Sequence, residues 1–261
     1  MNTALANYIE TLLGRIITEE LTAEQGCTSE VRSLVTEEGS FILKSATKDK
    51  YRVWLREEAL VLEQLNREPL TQEQRVSVPK FHGFFEEQNG SHLLMSKEEG
   101  VTLTVALQEA TSIPERQRLL RSFGNFLHRF HERVPDAALE HGQDWLESQL
   151  ARARRYVEMG QTGAGMELLE QLESGRPDPV QKAMIHGDCT TDNVFVQDGE
   201  VKLIIDVAGM TVGDSRYDVA LAIREFADCP ELLEAFFGGY TRCRLSQEEL
   251  QYFDKGLYEF F

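Results

Sequence analysis

The sequence predicts an α+β chain in two lobes, strand-rich in its first part and mainly helical in the remainder. Three observations carry this. Short β-type runs recur between Arg15 and Met95, separated by the turn residues Glu37–Ser40 and Asn89-Gly90. Beyond Val101 apolar residues recur at helical spacing, as in Leu119, Leu120, Phe123, Phe126, Leu127 and Phe130. Between Ile185 and Asp218 a hairpin pattern holds acids and an amide at fixed offsets. The division drawn is residues 1–95 as an N-lobe, 96–100 as a hinge and 101–261 as a C-lobe.

At 261 residues the chain is long enough to bury a large core. It has no run of about eighteen apolar residues to span a membrane. MNTALANYIETLLG reads as an amphipathic helix without a basic start or cleavage site, so no targeting peptide is expected. Cys27, Cys189, Cys229 and Cys243 lack C-x-x-C spacing, and a reduced cytoplasmic protein is the expectation. The formal net charge of −17 argues against nucleic acid, which needs clustered Lys and Arg. It suits attraction of a cationic small molecule.

Taken in order, Arg15–Leu21 and Glu30–Thr36 read as strands around a polar loop, Thr22–Ser29. Such a loop can lay backbone N–H groups over phosphates, although its single glycine is a weak signal. No G-x-x-x-x-G-K-[ST] occurs, which excludes a P-loop NTPase. Lys44 ends the apolar strand Phe41–Lys44 and needs a counter-charge. The pattern Leu55, Glu58, Leu62, Leu65 puts Glu58 at the apolar face of the next helix, with Glu57 as the alternative should the register shift by one. A Lys44–Glu58 pair would hold the amine on nucleotide phosphates.

A strand opens at Val78–Phe81 and returns as His92–Met95, then meets Ser96-Lys97-Glu98-Glu99-Gly100, a hinge whose backbone could pair with an adenine edge. Helices follow at Glu115–Glu132, Asp144–Met159 and Glu167–Glu173, with a Gly-rich break at Gly160–Gly165. Asp178-Pro179 reads as the cap of a short helix. His128 and His131, three apart with no third ligand nearby, read as packing or capping residues. Further helices are expected at Ser215–Phe226, Pro230–Arg242 and from Ser246 to the end, the last with a capping box to Glu249.

The chemistry concentrates in IHGDCTTDNVFVQDGEVKLIID. Asp188 follows His186 by two residues, Asn193 follows Asp188 by five, and Asp206 closes the run Leu203-Ile204-Ile205. Asp198-Gly199 between two β-rich runs signals a two-residue turn, so the hairpin brings Asp188, Asn193 and Asp206 to one edge. Asn193 and Asp206 offer oxygen ligands to a hard cation such as Mg²⁺, and Asp188 is placed to accept a hydroxyl proton. Asp218, on the first turns of its helix, could hydrogen-bond the loop backbone. The apolar, acidic ending Leu257-Tyr258-Glu259-Phe260-Phe261 reads as docked, with Glu259 and the carboxylate of Phe261 as anions for a cationic ligand.

The chain resembles the aminoglycoside phosphotransferases, especially the 3′-hydroxyl type, within the kinase-like superfamily. The segments that carry the resemblance are FILK, the helix from Glu58, LLMSKEEG, HGDCTTDN, IIDVAGMTVGDSRYDVALAIR and LYEFF. The resemblance implies a two-lobed protein-kinase-like fold with a five-stranded antiparallel N-lobe. It implies Asp188 as catalytic acid, Asn193 and Asp206 as Mg²⁺ ligands, and Lys44 on the phosphates of ATP or GTP. Thr28 would lie at the phosphate loop, Ile42 over the base, and Ser96 with Glu98 would present hinge backbone to adenine. Arg224, Glu259 and Phe261 match substrate-contact positions. Gly209 stands where the 3′ type commonly has a basic residue.

The expected function is therefore phosphorylation of an aminoglycoside hydroxyl, in the 3′ position, conferring resistance. The expected partners are a nucleoside triphosphate and a cationic small molecule, with neither nucleic acid nor membrane. The alternatives are a kinase of another small alcohol, such as a macrolide, choline or homoserine, and an inactive nucleotide-binding scaffold.

Overall fold

The computed structural model describes residues 1–22, 25–67, 76–134, 139–140 and 144–261. Positions 23–24 of the expected phosphate loop, 68–75 of the N-lobe and 135–138 and 141–143 of the helical region lie outside the described residues. The chain divides into two compact units. One comprises Met1–Leu70, Ser77–Glu99 and Asp206–Ala208, and the other Thr71–Val76, Gly100–Ile205 and Gly209–Phe261. Asp206–Ala208 group with the first unit.

In the first unit, α1 (Thr3–Leu13) starts where the Asn2 side chain accepts the Leu5 N–H at 2.9 Å. It is followed by β1 (Ile16–Leu21), β2 (Glu30–Thr36), β3 (Gly39–Ala46), α2 (Asp49–Leu65), β4 (Phe81–Glu87) and β5 (Gly90–Ser96). The strands form one five-stranded sheet in the order β1-β2-β3-β5-β4, antiparallel throughout. Strand alternation sorts β3 onto two faces. Phe41 and Leu43 join Leu34 and Leu94 in a core with Leu5, Ile9 and Leu13 of α1. Lys44 points the other way, toward α2, whose Leu55, Ala59 and Leu62 are buried. β3 outruns the apolar run Phe41–Lys44 because both neighbours pair along it, from Gly39↔Thr36 to Ala46↔Ser91.

The second unit contains β6 (Val101–Thr102), α3 (Leu103–Glu109), α4 (Ile113–His131), α5 (Trp145–Glu158) and α6 (Met166–Ser174). Then come β7 (Ala183–Ile185), β8 (Val194–Gln197), β9 (Glu200–Ile204), β10 (Thr211–Gly213), α7 (Ser215–Ile223), α8 (Pro230–Phe237), α9 (Gln247–Phe253) and a 3₁₀ turn at Leu257–Phe260. Two small sheets, β6-β8-β9 and β10-β7, are embedded among the helices. The core joins Trp145, Leu150, Leu169, Leu172, Tyr217 and Phe253 to Leu257 and Phe260 of the 3₁₀ turn, so that segment is docked. The capping box at Ser246 and Glu249 forms as expected.

The helix expected after Asp178-Pro179 does not form. The Asp178 carbonyl accepts from Arg216 Nη2 at 2.7 Å, and the exposed segment, without regular structure, leads straight into β7, which pairs with β10. The α8 helix stops at Phe237, ahead of Gly238-Gly239, short of the expected Arg242. Among the described residues no helix is long and apolar enough to cross a membrane.

Candidate active site

The loop after β7 is built on buried hydrogen bonds. Gly187 has φ +83°, and a Cβ there would strike the Gly209 carbonyl. The Gly209 Cβ position lies 3.1 Å from the His186 carbonyl, so a glycine at 209 lets two backbones meet. Asp218, fully buried, accepts the N–H groups of His186 at 2.6 Å and Gly187 at 2.8 Å, the supporting role expected of it. Its carboxylate also faces His131 Nε2 at 3.1 Å, and His131 Nδ1 faces Tyr240 Oη at 2.9 Å. Burial, with Cys243 beside it, pushes the Tyr240 phenol far above its ordinary range and keeps it a hydroxyl. His131 is thus a buried link in the loop's support.

His186 turns its ring back on the hairpin. Nδ1 accepts the Asp188 N–H at 3.2 Å, and Nε2 lies 2.7 Å from the Ile205 carbonyl. A carbonyl only accepts and an N–H only donates, so these partners select the neutral tautomer with its proton on Nε2. Cys189, beside Asp188, is buried, and its thiol is pushed well above its ordinary value by burial and by Asp218 and Asp188. It is filler, not a nucleophile.

Asp188 is half-buried and hydrogen-bonded on both carboxylate oxygens. The Asn193 amide nitrogen donates to Oδ2 at 2.8 Å and to the Asp188 carbonyl at 2.8 Å, and Tyr258 Oη donates to Oδ1 at 3.0 Å. With its nitrogen spent on Asp188, Asn193 presents Oδ1 on its other side. Asn193 ends a 3₁₀ turn (Thr191–Asn193) immediately before β8, and its carbonyl accepts the Ile205 N–H at 2.9 Å across the hairpin. The tip, Asp198 at φ 52° and Gly199 at φ 74°, has the left-handed pair of a tight hairpin turn.

Asp206, the next residue after Ile205, has φ 58°. A left-handed non-glycine residue costs free energy, and such residues cluster at functional sites. Its carboxylate belongs to the first unit, where Oδ1 lies against Lys44 Nζ. Lys44 Nζ donates to Glu58 Oε1 at 2.8 Å and to Oε2 at 3.1 Å, and both side chains are buried. Glu58, not Glu57, is the partner the helical spacing picked out. The three groups form an acid–amine–acid row, with Asp206 its more exposed end.

The remaining predicted positions are spread. Thr28 is half-buried in the loop before β2, and Ile42 is half-buried on β3 opposite Met95. The Ser96 N–H is committed to the Lys80 carbonyl at 2.9 Å, so only its carbonyl can be offered to a ligand. Its hydroxyl bonds Glu98 Oε1. Arg224 is engaged within the second unit: Nε meets Asp254 Oδ1 at 3.0 Å, and the guanidinium lies 4.7 Å over the Tyr258 ring. Glu259 is exposed, its carbonyl accepting from Thr162 Oγ1 at 3.2 Å. Phe261 is half-buried, edge-on to Tyr156.

Sequence reasoning missed Tyr258. Its signal was available: in a 3₁₀ turn residues three apart share a face, so burial of Leu257 and Phe260 directs Tyr258 elsewhere.

The Phosphotransferase enzyme family (APH) has a model that matches residues 22–251. An aminoglycoside 3′-phosphotransferase of Streptomyces fradiae is 30% identical over 44% of this chain and 50% of its own length. A homoserine kinase of Neisseria meningitidis serogroup B is 29% identical over 55% of this chain and 50% of its own. The chain thus aligns with about half the length of these curated relatives. A crystal structure of a type VIII aminoglycoside-3′-phosphotransferase superposes with a TM-score of 0.80 at 24% identity, covering 100% of both chains. The fold is the kinase-like α+β fold expected from the sequence.

Proposed function

We propose, since this chain belongs to the phosphotransferase enzyme family, that it moves the γ-phosphoryl group of ATP or GTP to a hydroxyl of an aminoglycoside, the 3′-hydroxyl first of all, and so confers resistance. The observation that carries the reading is the Asp188–Asn193 pair on a loop clamped by Asp218. Such a carboxylate, fixed but half-exposed, can orient an alcohol and take its proton. The new O–P bond forms as the β–γ bridge breaks, and the nucleoside diphosphate leaves. Positioning and charge neutralisation supply most of the acceleration in such transfers.

Asn193 Oδ1, left free of the Asp188 contacts that its nitrogen makes, and the Asp206 carboxylate would be the hard oxygen ligands that Mg²⁺ takes. A cation of this kind takes few protein oxygens and completes its shell with water and phosphate, neutralising charge that builds on the phosphates. Lys44, held by Glu58, would contact those phosphates. Thr28 would lie near them, Ile42 would cover the base, and the Ser96 carbonyl with the Glu98 backbone would meet its edge. A cytoplasmic site of action, where nucleotide is abundant, follows from this reading.

At the acceptor side, the exposed Glu259 carboxylate, with Phe261 two residues on, suits the ammonium groups of an aminoglycoside, as does the net charge of −17. Arg224, balanced by Asp254, would offer its remaining N–H donors to hydroxyls. The Streptomyces relative supports this acceptor class. A second reading, phosphorylation of a small amino alcohol, draws on the similarity to the homoserine kinase.

The test is aminoglycoside susceptibility of cells expressing the chain, with Asp188→Ala as control. Protection lost in Asp188→Ala is expected. Equal protection by both chains, or by neither, contradicts the proposal.

A further inference from the structure

We propose that Tyr258 is a positioning residue for Asp188, fixing the carboxylate so that one oxygen is held ready for the acceptor hydroxyl. The inference rests on the reading of Asp188 as the proton-accepting group. It concerns a residue to which neither the motif nor the family resemblance assigned a role.

The geometry is specific. Asn193 holds the Asp188 Oδ2 edge at 2.8 Å and Tyr258 holds Oδ1 at 3.0 Å, so the carboxylate is gripped at both ends. Asn193 alone leaves rotation about the Asp188 side chain open, and a second donor on the other oxygen closes it. A carboxylate has about four lone-pair sites, so each oxygen keeps one for another donor. The acceptor hydroxyl therefore adds a third hydrogen bond without expelling either partner.

Tyr258 is itself held. Arg224 lies 4.7 Å over its ring and is tied to the buried Asp254 at 3.0 Å. Leu257 and Phe260, on either side of it in the same turn, are fully buried, and Thr162 fastens the turn at the Glu259 carbonyl. The phenol is also kept protonated, pushed above its ordinary value by burial and by Asp188, so it stays a donor and does not compete as a base. Because the same turn carries Glu259 and leads into Phe261, the orientation of Asp188 is referenced to the segment proposed to hold the acceptor.

The experiment compares wild type with Tyr258→Phe, which keeps the ring under Arg224 and deletes only the donor. Kanamycin A, which carries a 3′-hydroxyl, is the acceptor, with Mg²⁺ and ATP; crystal structures of both proteins give a second readout. Expected is a fall in kcat of about ten- to a hundredfold, the scale of a misoriented reacting group, with the kanamycin KM within about twofold. The Asp188 side chain should occupy more than one orientation in the variant, and the thermal midpoint should move by only a few degrees. A kcat within twofold of wild type, or an unmoved Asp188, overturns the proposal. So does a rise in acceptor-free ATP hydrolysis, which would make the phenol a cap against water. Wild type inert toward kanamycin would count against the proposed function instead, and the structural comparison would still decide whether Tyr258 orients Asp188.

Discussion

Replacing Asp218 by alanine tests how the loop after β7 is held. The carboxylate is fully buried and accepts from two backbone N–H groups at 2.6 and 2.8 Å and from His131 at 3.1 Å. Hydrogen bonds to a charged group contribute about 1.5–3 kcal/mol each, and each buried donor left orphaned costs about 1–3 kcal/mol. Removing the carboxylate also removes its own desolvation cost, which offsets part of that sum. The net loss should fall near 3–5 kcal/mol, the range found when one partner of a buried charged contact is deleted. Asp218→Asn, which keeps one acceptor oxygen but turns an N–H toward a backbone N–H, should lose about half as much. The assay is guanidinium unfolding in a Trp54→Phe background, where Trp145, in the core of the second unit, is the remaining tryptophan. The m-value should not change, and kcat should fall by about a hundredfold or more as the loop slackens. A loss below about 1 kcal/mol, with kcat within twofold of wild type, would refute the clamp.

Lys44→Met should cost about 3–5 kcal/mol in urea unfolding by stranding the buried Glu58 carboxylate, whereas Lys44→Met with Glu58→Met should cost less than the single change; a double variant that is worse than Lys44→Met would contradict the pairing. Gly187→Ala should lose at least about 1–2 kcal/mol from its left-handed backbone alone, and an unchanged thermal midpoint would count against the loop geometry. Ellman's reagent should titrate the exposed Cys27 in the native protein and reach Cys189 only on unfolding. Cys189, Tyr217 and Tyr258 are raised above ordinary values of 9.0 for the thiol and 10.0 for the phenols, so the fold holds protons that the unfolded chain releases. The stability they contribute is complete below about pH 8, and the share of Cys189 declines as pH climbs past 9 and those of the tyrosines past 10, by about 1.4 kcal/mol per group per pH unit; urea unfolding from pH 7 to 11 should show that decline, and a flat or rising profile would contradict it.

Much of this was legible in the residues. The hairpin declared itself because Asp198-Gly199 tolerates the two positive φ values a tight turn requires, and the turn sets the register that pairs Val196 with Val201, before an irregularity at Phe195/Val196 shifts it to pair Val194 with Ile204. Glu58 could be placed against Lys44 because helical spacing and the need of a buried amine for an anion point to one residue. What escaped was set by tertiary partners. Local chemistry at Asp178-Pro179 favours a helix start, but Arg216, remote in sequence, takes the Asp178 carbonyl. β7 and β10 are three residues each and exist only by pairing with one another, so neither has a pattern long enough to read. His131 gave only the periodicity of a core helix. Its role depends on Asp218 and Tyr240, more than eighty residues away along the chain. Tyr258 belongs with these, since its hydrogen bond spans 70 residues.

The most direct test of the central claim is transfer itself, followed with purified protein, Mg²⁺, γ-labelled ATP or GTP, and a panel of aminoglycosides beside homoserine, choline and a macrolide. The account predicts label on one hydroxyl of an aminoglycoside, assigned to the 3′ position by phosphorus NMR, with transfer abolished in Asp188→Ala. Label on homoserine alone would move the chain to the second reading, and undiminished transfer by Asp188→Ala would contradict the account at its base.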